Sequence, residues 1–135
     1  MMATGFVVVD TDVISYLFKG DTRGDLYQLH LDNKLGVLSF MTVAELDLWA
    51  ATRNWGMKKR EELAIFLSPY IVIESSRELC RKWAEIRDHV NRAGSHLDTA
   101  DAWIATTALL YDLPLITHNR DHFAQVPNLS VISEA

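Results

Sequence analysis

Two carboxylates lie close together near the start of the chain, at Asp10 and Asp12, directly after the apolar run Phe6–Val9. An apolar run without polar alternation is typical of a strand buried on both faces of a parallel sheet. Such sheets bind ligands beyond the carboxyl ends of their strands. The two carboxylates are therefore candidate site residues. We expect Asp12 to cap a helix that begins at Val13, which leaves Asp10 free at the strand end.

A third acid, Glu45, follows the predicted strand Leu35–Ser39. Thr42 and Glu45 fit a Thr-x-x-Glu capping box, and capping alone would explain them. However, Leu48 and Trp49 lie on the same helical stripe as Glu45, which indicates apolar surroundings. A carboxylate in such surroundings is costly unless it is paired or binds a cation. Both interpretations of Glu45 stay open at this point.

A fourth acid, Asp101, lies in the first turn of a predicted helix over residues 99–112, with Asp98 as its expected N-cap. Ile104 and Ala108 share its stripe, which is the face expected to pack against the sheet. The helix dipole favours an acid in this turn, but a carboxylate on the buried stripe still lacks a partner. The position indicates a functional acid.

Polar side chains also follow the predicted strand Leu115–Thr117, at Thr117, Asn119 and Asp121. By themselves they are typical of a polar turn. Because the carboxyl ends of parallel strands meet at one edge of a sheet, we expect them to lie near the acids. Clustered oxygen ligands suit Mg²⁺ or Mn²⁺. Such an ion can activate water and neutralise a phosphodiester under attack.

The elements that position these residues alternate between strand and helix. This alternation predicts an α/β sandwich with a mostly parallel sheet. The five predicted strands are Phe6–Val9, Leu35–Ser39, Tyr70–Ile73, Leu115–Thr117 and Leu129–Ile132. The predicted helices cover residues 13–18, 23–33, 42–54, 57–67, 76–94 and 99–112.

The composition is that of one globular domain, with 135 residues, 49% of them apolar and 23% charged. We expect a single domain over residues 1–135. The formal net charge of −5 excludes a bulk basic nucleic-acid binder. It does not exclude a nucleic-acid substrate, because bound cations reverse the local field of carboxylates.

Cys80 is the only cysteine, so no intrachain disulfide can form, which is consistent with a reducing cytoplasm. We expect Cys80 to be packed within its helix. No stretch approaches the roughly 20 apolar residues of a membrane span. The sequence therefore predicts a soluble cytoplasmic protein with no membrane partner.

One basic cluster stands out in the sequence, at Arg53, Lys58, Lys59 and Arg60. A solvated helix surface would explain it, and so would contacts with RNA phosphates or with a partner's acids. His118 and His122 are expected on the surface of a short loop.

The motifs, taken in order, resemble those of PIN-domain nucleases, and most closely the VapC toxins of bacterial toxin–antitoxin pairs. They read Val-Val-Asp10-Thr-Asp12-Val-Ile, Ser39-Phe-Met-Thr42-Val-Ala-Glu45-Leu, Asp101-Ala-Trp-Ile-Ala-Thr-Thr-Ala-Leu and Leu-Ile-Thr117-His-Asn119. The resemblance implies a PIN-like three-layer sandwich with a five-stranded sheet. It also implies a Mg²⁺-dependent endoribonuclease, with Mn²⁺ able to substitute, that is inhibited by a cognate antitoxin and forms a homodimer.

The resemblance also assigns site residues by position. The principal acids and candidate metal ligands are Asp10, Glu45 and Asp101; the supporting polar residues are Thr11, Asp12, Thr42, Thr117 and Asn119. Family members often carry an aspartate directly before the phenylalanine that is Phe123 here, and this chain has His122 there. Asp121 and Asn119 are the two candidates for this fourth acidic position.

Two other functions fit part of the pattern. Asp-x-Asp after an apolar strand also resembles the opening of haloacid-dehalogenase-type phosphatases, in which Asp10 would be the nucleophile. Those enzymes usually place Thr or Val where this chain has Ile14, and they need a later lysine and acidic pair without a convincing match here. The irregular fourth acidic position also fits a PIN fold that has lost catalysis and acts only by binding a partner.

Overall fold

The computed structural model describes residues 5–135, and within them five strands form one sheet. The strands are β1 (Phe6–Val9), β2 (Leu35–Ser39), β3 (Ile71–Ile73), β4 (Leu115–Ile116) and β5 (Val131–Ile132). The sheet order is β3-β2-β1-β4-β5, and every pair of neighbours is parallel. The prediction of a five-stranded, mostly parallel sheet is confirmed, although the last three strands are one or two residues shorter than predicted.

The helices on the two faces are α1 (Thr11–Lys19), α2 (Thr22–Asp25), α3 (Gln28–Leu31), α4 (Phe40–Thr52), α5 (Met57–Leu67), α6 (Arg77–Arg92) and α7 (Thr99–Leu110). A short 3-10 helix covers Arg120–Phe123. The predicted helix over residues 23–33 is wrong, because the chain forms α2 and α3 instead. Leu26 and Leu29 are exposed, so this stretch has no continuous apolar face to bury.

The alternation of side chains along β1 produces two separate cores. Val8 points to one face and packs with residues of α6 and α7, such as Ile86 and Ile104. Val7 and Val9 point to the other face and pack with residues of α1, α4 and α5. The sheet is therefore covered on both sides, which is the three-layer arrangement expected from the sequence.

Cys80 is exposed, so the expectation that it packs within its helix is wrong; the buried side of α6 carries Leu79, Ile86 and Val90 instead. Among residues 5–135, no helix has the length and apolar character needed to cross a membrane.

Candidate active site

Asp10 lies at the junction between β1 and α1 and is 5% exposed. Its backbone has the extended conformation of an N-cap, and its Oδ1 accepts a hydrogen bond from the Thr11 N–H at 2.8 Å. Its Oδ2 accepts a bond from the Thr117 hydroxyl at 2.7 Å. The expectation that Asp12 is the cap is therefore wrong. Since β1 runs into α1 without a loop, the junction residue itself becomes the cap.

Asp12 instead forms hydrogen bonds that hold the loop after β4. Its Oδ1 accepts a hydrogen bond from the Val13 N–H at 2.7 Å. Its Oδ2 accepts bonds from the His118 N–H at 3.0 Å and from the Asn119 side-chain amide at 2.9 Å. The carboxylate thereby fixes a segment that lies more than a hundred positions further along the chain.

The start of α4 also differs from the expected capping box. The N-cap is Ser39, whose hydroxyl accepts a hydrogen bond from the Met41 N–H at 3.1 Å. Thr42 is thus inside the helix, and Glu45 is beyond the first turn. Because β2 leads directly into α4, the helix begins earlier than the apolar pattern indicated. The capping box therefore no longer explains Glu45.

Glu45 is hydrogen-bonded to α1 rather than to its own helix. The Thr11 hydroxyl donates to its Oε1 at 2.7 Å, and Thr11 Oγ1 lies 2.9 Å from Oγ1 of Thr42. Leu48 is 58% exposed, so the apolar stripe invoked for Glu45 is only partly present. The Glu45 carboxylate is therefore held by a hydrogen bond from α1.

Asp101 faces an open cavity of about 360 Å³ that is lined by titratable side chains. It lies in the first turn of α7, and Asp98 is the N-cap as expected, although its side chain makes no capping bond. The remaining lining residues are His96, Asp121 and His122. Nδ1 of His122 lies 3.4 Å from Oδ2 of Asp101. His122 is exposed, as expected from the sequence, but its contact with Asp101 was not predicted.

The two candidates for the fourth acidic position have different surroundings. The Asn119 side-chain amide donates a hydrogen bond to Asp12, and the Asn119 backbone N–H donates to the Thr117 hydroxyl at 3.0 Å. Asp121 lies in the 3-10 helix and lines the same cavity as Asp101. Asn119 therefore helps to hold the loop in place, and Asp121 lies beside the acids.

Tyr27, a buried residue that was not predicted to belong to the site, also contacts this loop. Oη of Tyr27 lies 2.5 Å from Nδ1 of His118 and accepts a hydrogen bond from the Glu134 N–H at 3.0 Å. The Tyr27 side chain is fully buried, which is unusual for a tyrosine in a weakly patterned helical stretch. The residues next to Tyr27 in the sequence do not indicate this burial, because its hydrogen-bond partners lie about ninety or more positions away.

The four site acids, Asp10, Asp12, Glu45 and Asp101, all have a raised pKa. Burial is the main cause in each case, and repulsion from neighbouring carboxylates adds to it for Asp10, Glu45 and Asp101, whereas hydrogen bonds oppose the shift at Asp12. For Asp10 the repelling groups are Asp12 and Asp101. The pKa of Asp101 is raised to about 6, although His122 opposes the shift. The acids therefore share one electrostatic environment that disfavours their ionised forms.

Histidine is the only basic side chain that forms an ion pair with any of these acids among the described residues. In the described part of the chain, no ion pair joins a lysine or arginine to any of them. Buried carboxylates without such a partner are costly, and a bound cation would remove the cost. Their oxygen donors fit Mg²⁺ or Mn²⁺ and not a thiolate-preferring metal.

The described residues do not form a preorganised set of three or more metal ligands. Among residues 5–135, no three His, Cys, Asp or Glu side chains are already placed to hold a metal ion together. Mg²⁺ usually binds through one or two carboxylates and keeps several of its waters. An open arrangement of acids beside a cavity therefore suits a hydrated ion.

Comparison with known proteins defines the class. The PIN domain model matches residues 7–129, and the chain therefore belongs to the PIN domain family. Ribonuclease VapC1 of Haemophilus influenzae strain R2866 is 27% identical over 125 residues, which cover 90% of this chain and 92% of that protein. The resemblance to PIN-domain and VapC proteins seen in the motifs is thus confirmed.

Two solved structures share the fold over almost the whole chain. VapBC-1 from nontypeable Haemophilus influenzae has a TM-score of 0.80 at 26% identity and covers 95% of this chain and 97% of that one. VapBC2 from Rickettsia felis, bound to a DNA fragment from its promoter, has a TM-score of 0.83 at 23% identity and covers 95% and 98%. This agreement confirms the PIN-like α/β sandwich and gives no support to the phosphatase hypothesis.

Proposed function

We propose that this protein is a divalent-metal-dependent endoribonuclease and the toxin of a toxin–antitoxin pair. The observation that carries the proposal is a set of buried and half-buried carboxylates after β1, in α4 and in the first turn of α7, which has no lysine or arginine ion-pair partner among the described residues. The similarity to Ribonuclease VapC1 supports RNA as the substrate. The acidic character of the site also supports it, since a bound cation would let the site accept a phosphodiester.

Asp10 and Asp101 would hold Mg²⁺, with Mn²⁺ as a substitute, and Glu45 would hold the ion or orient a water. Both oxygens of Asp10 already accept one hydrogen bond, but each keeps a further lone pair for a ligand. When bound, the ion would activate water for in-line attack and neutralise the phosphate. Thr11 fixes the Glu45 carboxylate, and Thr117 fixes that of Asp10.

Asp121 would complete the outer part of the site, because it lines the cavity next to Asp101. Asn119 would position the loop through Asp12 rather than contact the ion. Cleavage of this type leaves a 5′-phosphate and a 3′-hydroxyl, as the family resemblance implies.

A cognate antitoxin, a homodimer and a cytoplasmic location complete the proposal. Its support is the resemblance to VapC toxins and the structural likeness to VapBC-1. Light scattering on the isolated protein tests the dimer. Co-expression with the product of a short neighbouring gene tests the antitoxin, since a true antitoxin should form a stable complex and suppress cleavage.

The deciding experiment is an RNA cleavage assay on protein freed of any co-purifying partner. We expect cleavage in Mg²⁺ that EDTA stops and that the Asp10→Asn variant lacks. The absence of metal-dependent cleavage in correctly folded protein would favour a PIN fold that acts only by binding a partner.

A further inference from the structure

A basic and aromatic surface lies at the ends of α1 and α4 and the start of α5. Nζ of Lys19 lies 5.9 Å and Cζ of Arg53 lies 5.0 Å from the ring centre of Trp49. Nζ of Lys59 lies 4.1 Å from the ring centre of Trp55. We call these five side chains the tryptophan patch. Its three cations are exposed and are held against rings that are partly buried.

The cations of the tryptophan patch have no carboxylate partners. In the described part of the chain, no ion pair involves Lys19, Arg53 or Lys59. Burial lowers the pKa of Lys19, and repulsion from Arg53 and Lys59 lowers it further. The nearby acid Asp21 is already paired with Arg23 at 2.7 Å. A chain with a net charge of −5 thus concentrates positive charge at this place.

Helix stability explains only part of this concentration, because the dipole favours Lys19 and the C-cap Arg53 of α4 but not Lys59. Lys19 lies in the last turn of α1, where the helix dipole favours a cation. Lys58, Lys59 and Arg60 lie in the first turn of α5, where the dipole disfavours cations. The N-cap Gly56 offers no side chain to offset them. An anionic ligand would account for a charge arrangement that costs the helix stability.

The tryptophan patch lies at a defined distance from the acids. Lys19 follows Thr11 by eight residues along α1, and Arg53 follows Glu45 by eight residues along α4. At about 1.5 Å per residue, each separation is about 12 Å. A stacked nucleic-acid strand advances about 3.4 Å per nucleotide. The distance therefore corresponds to roughly three or four nucleotides.

We infer that the tryptophan patch binds the backbone of single-stranded RNA three or four nucleotides from the cut bond. The inference rests on the proposed ribonuclease function. Cations held against aromatic rings lose less freedom when they bind a phosphate. The exposed guanidinium of Arg53 also offers a plane on which a base can stack. Binding here would hold the strand while the acids act on it.

The test compares two triple variants that remove the same charge. Lys19→Gln/Arg53→Gln/Lys59→Gln removes the cations of the tryptophan patch. The control Arg77→Gln/Arg81→Gln/Arg92→Gln removes three exposed cations of α6, on the opposite face of the sheet. Thermal unfolding verifies that both variants are folded.

Fluorescence anisotropy with a 12-nucleotide single-stranded RNA in EDTA measures binding without cleavage. We expect the patch variant to bind about tenfold or more weakly and the control to bind within twofold of the wild type. Each phosphate contact on single-stranded RNA contributes about 0.7 to the salt dependence of binding, so three lost contacts should reduce the slope by about 2. Cleavage of a three-nucleotide RNA, which has at most two nucleotides on either side of the cut bond and cannot reach the patch, should be unchanged.

Equal binding of the 12-nucleotide RNA by the patch variant and the control would overturn the inference. So would a patch variant that keeps its RNA affinity but loses affinity for an inhibitory protein, because the patch would then be a protein contact. A wild-type protein that binds RNA through the patch without cleaving it would contradict the proposed function alone.

Discussion

The carboxylate of Asp12 accepts a hydrogen bond from the side-chain amide of Asn119 at 2.9 Å, although 107 positions separate the two residues. The same oxygen accepts the His118 N–H. The first turn of α1 thus determines where the loop after β4 lies. That loop also carries Asp121 and His122, which line the cavity at Asp101. The geometry of the outer part of the site therefore depends on Asp12.

Replacing Asp12 with Asn should loosen this loop without unfolding the protein. An amide presents an NH₂ group where one carboxylate oxygen stood, so of the three N–H donors either the Val13 N–H at Oδ1 or both loop donors at Oδ2 lose their acceptor. We expect faster hydrogen exchange at residues 118–122 and about 10- to 100-fold lower cleavage. Asp25→Asn, at an exposed acid of α2, is the control. Unchanged exchange in the loop would show that Asp12 does not hold it.

Thr11→Val should weaken the site through Glu45. The substitution keeps the side-chain volume but removes the hydroxyl that donates to Oε1. We expect the Mg²⁺ concentration for half-maximal cleavage to rise about 10- to 100-fold. Stability should fall by about 1–3 kcal/mol, because the buried Thr42 hydroxyl also loses its partner.

Thr107→Val is the matched control for Thr11→Val, since its buried hydroxyl bonds only to the Trp103 carbonyl of its own helix. Its metal dependence should equal that of the wild type. Similar metal curves for both threonine variants would rule out a role for Thr11 in orienting Glu45.

Asp10→Asn should abolish cleavage and raise the melting temperature of the metal-free protein. The lost metal ligand should reduce the rate by about 10³-fold or more. The melting temperature should rise because the substitution removes a buried charge that is repelled by Asp12 and Asp101. Asp47→Asn, at an exposed acid of α4, should change neither quantity. Wild-type cleavage by Asp10→Asn would refute the proposed site.

The pH dependence of stability follows from Asp101, whose pKa is raised to about 6. The folded state binds this proton more tightly than the unfolded state, in which the pKa of an aspartate is about 3.9. The stabilising contribution is therefore complete below about pH 4 and is lost as the pH rises through about 6. Urea unfolding in EDTA should show this loss, and Asp101→Asn should abolish this contribution.

Cleavage should have the opposite pH dependence, because metal binding needs the ionised carboxylates. We expect the rate at limiting Mg²⁺ to rise with pH through about 6, where Asp101 ionises. A higher Mg²⁺ concentration should move this rise to lower pH. A rate that is independent of both pH and Mg²⁺ in this range would contradict the assignment.

Gly36→Ala should destabilise the sheet at β2. A Cβ at this position would lie 2.4 and 2.5 Å from two ring atoms of Tyr70, which is closer than packed atoms approach. We expect a loss of about 1–3 kcal/mol in the free energy of unfolding. Tyr70→Leu in the same chain should recover part of it. Gly5→Ala is the control, since its nearest contact would be an ordinary 3.7 Å.

Local patterns predicted the elements best where apolar runs end at clear breaks. The predictions for β1, β2 and α5 match the structure residue for residue. The start of α1 was misplaced, because the pattern shows which side chains are apolar but not that β1 continues into the helix without a loop. That junction decides that Asp10, and not Asp12, is the cap.

The contacts that complete the candidate site could not be read from local patterns. The approach of His122 to Asp101 and that of Tyr27 to His118 join residues on different elements. Residue types at the strand ends predicted which acids gather there. They carry no information on which side chain accepts which hydrogen bond, because that depends on the packing of α1, α4 and α7 against the sheet.

The sheet order has a consequence for synthesis of the protein on the ribosome. Of the five strands of the sheet, β1 is made before the others and lies in the middle, but its neighbour β4 is made only after residue 114. Thr117 and Asn119, the partners of Asp10 and Asp12, follow β4 directly. A nascent chain that ends before them has an open edge beside its first strand and an incomplete set of site residues. The site therefore cannot assemble before the segment after β4 has been synthesised.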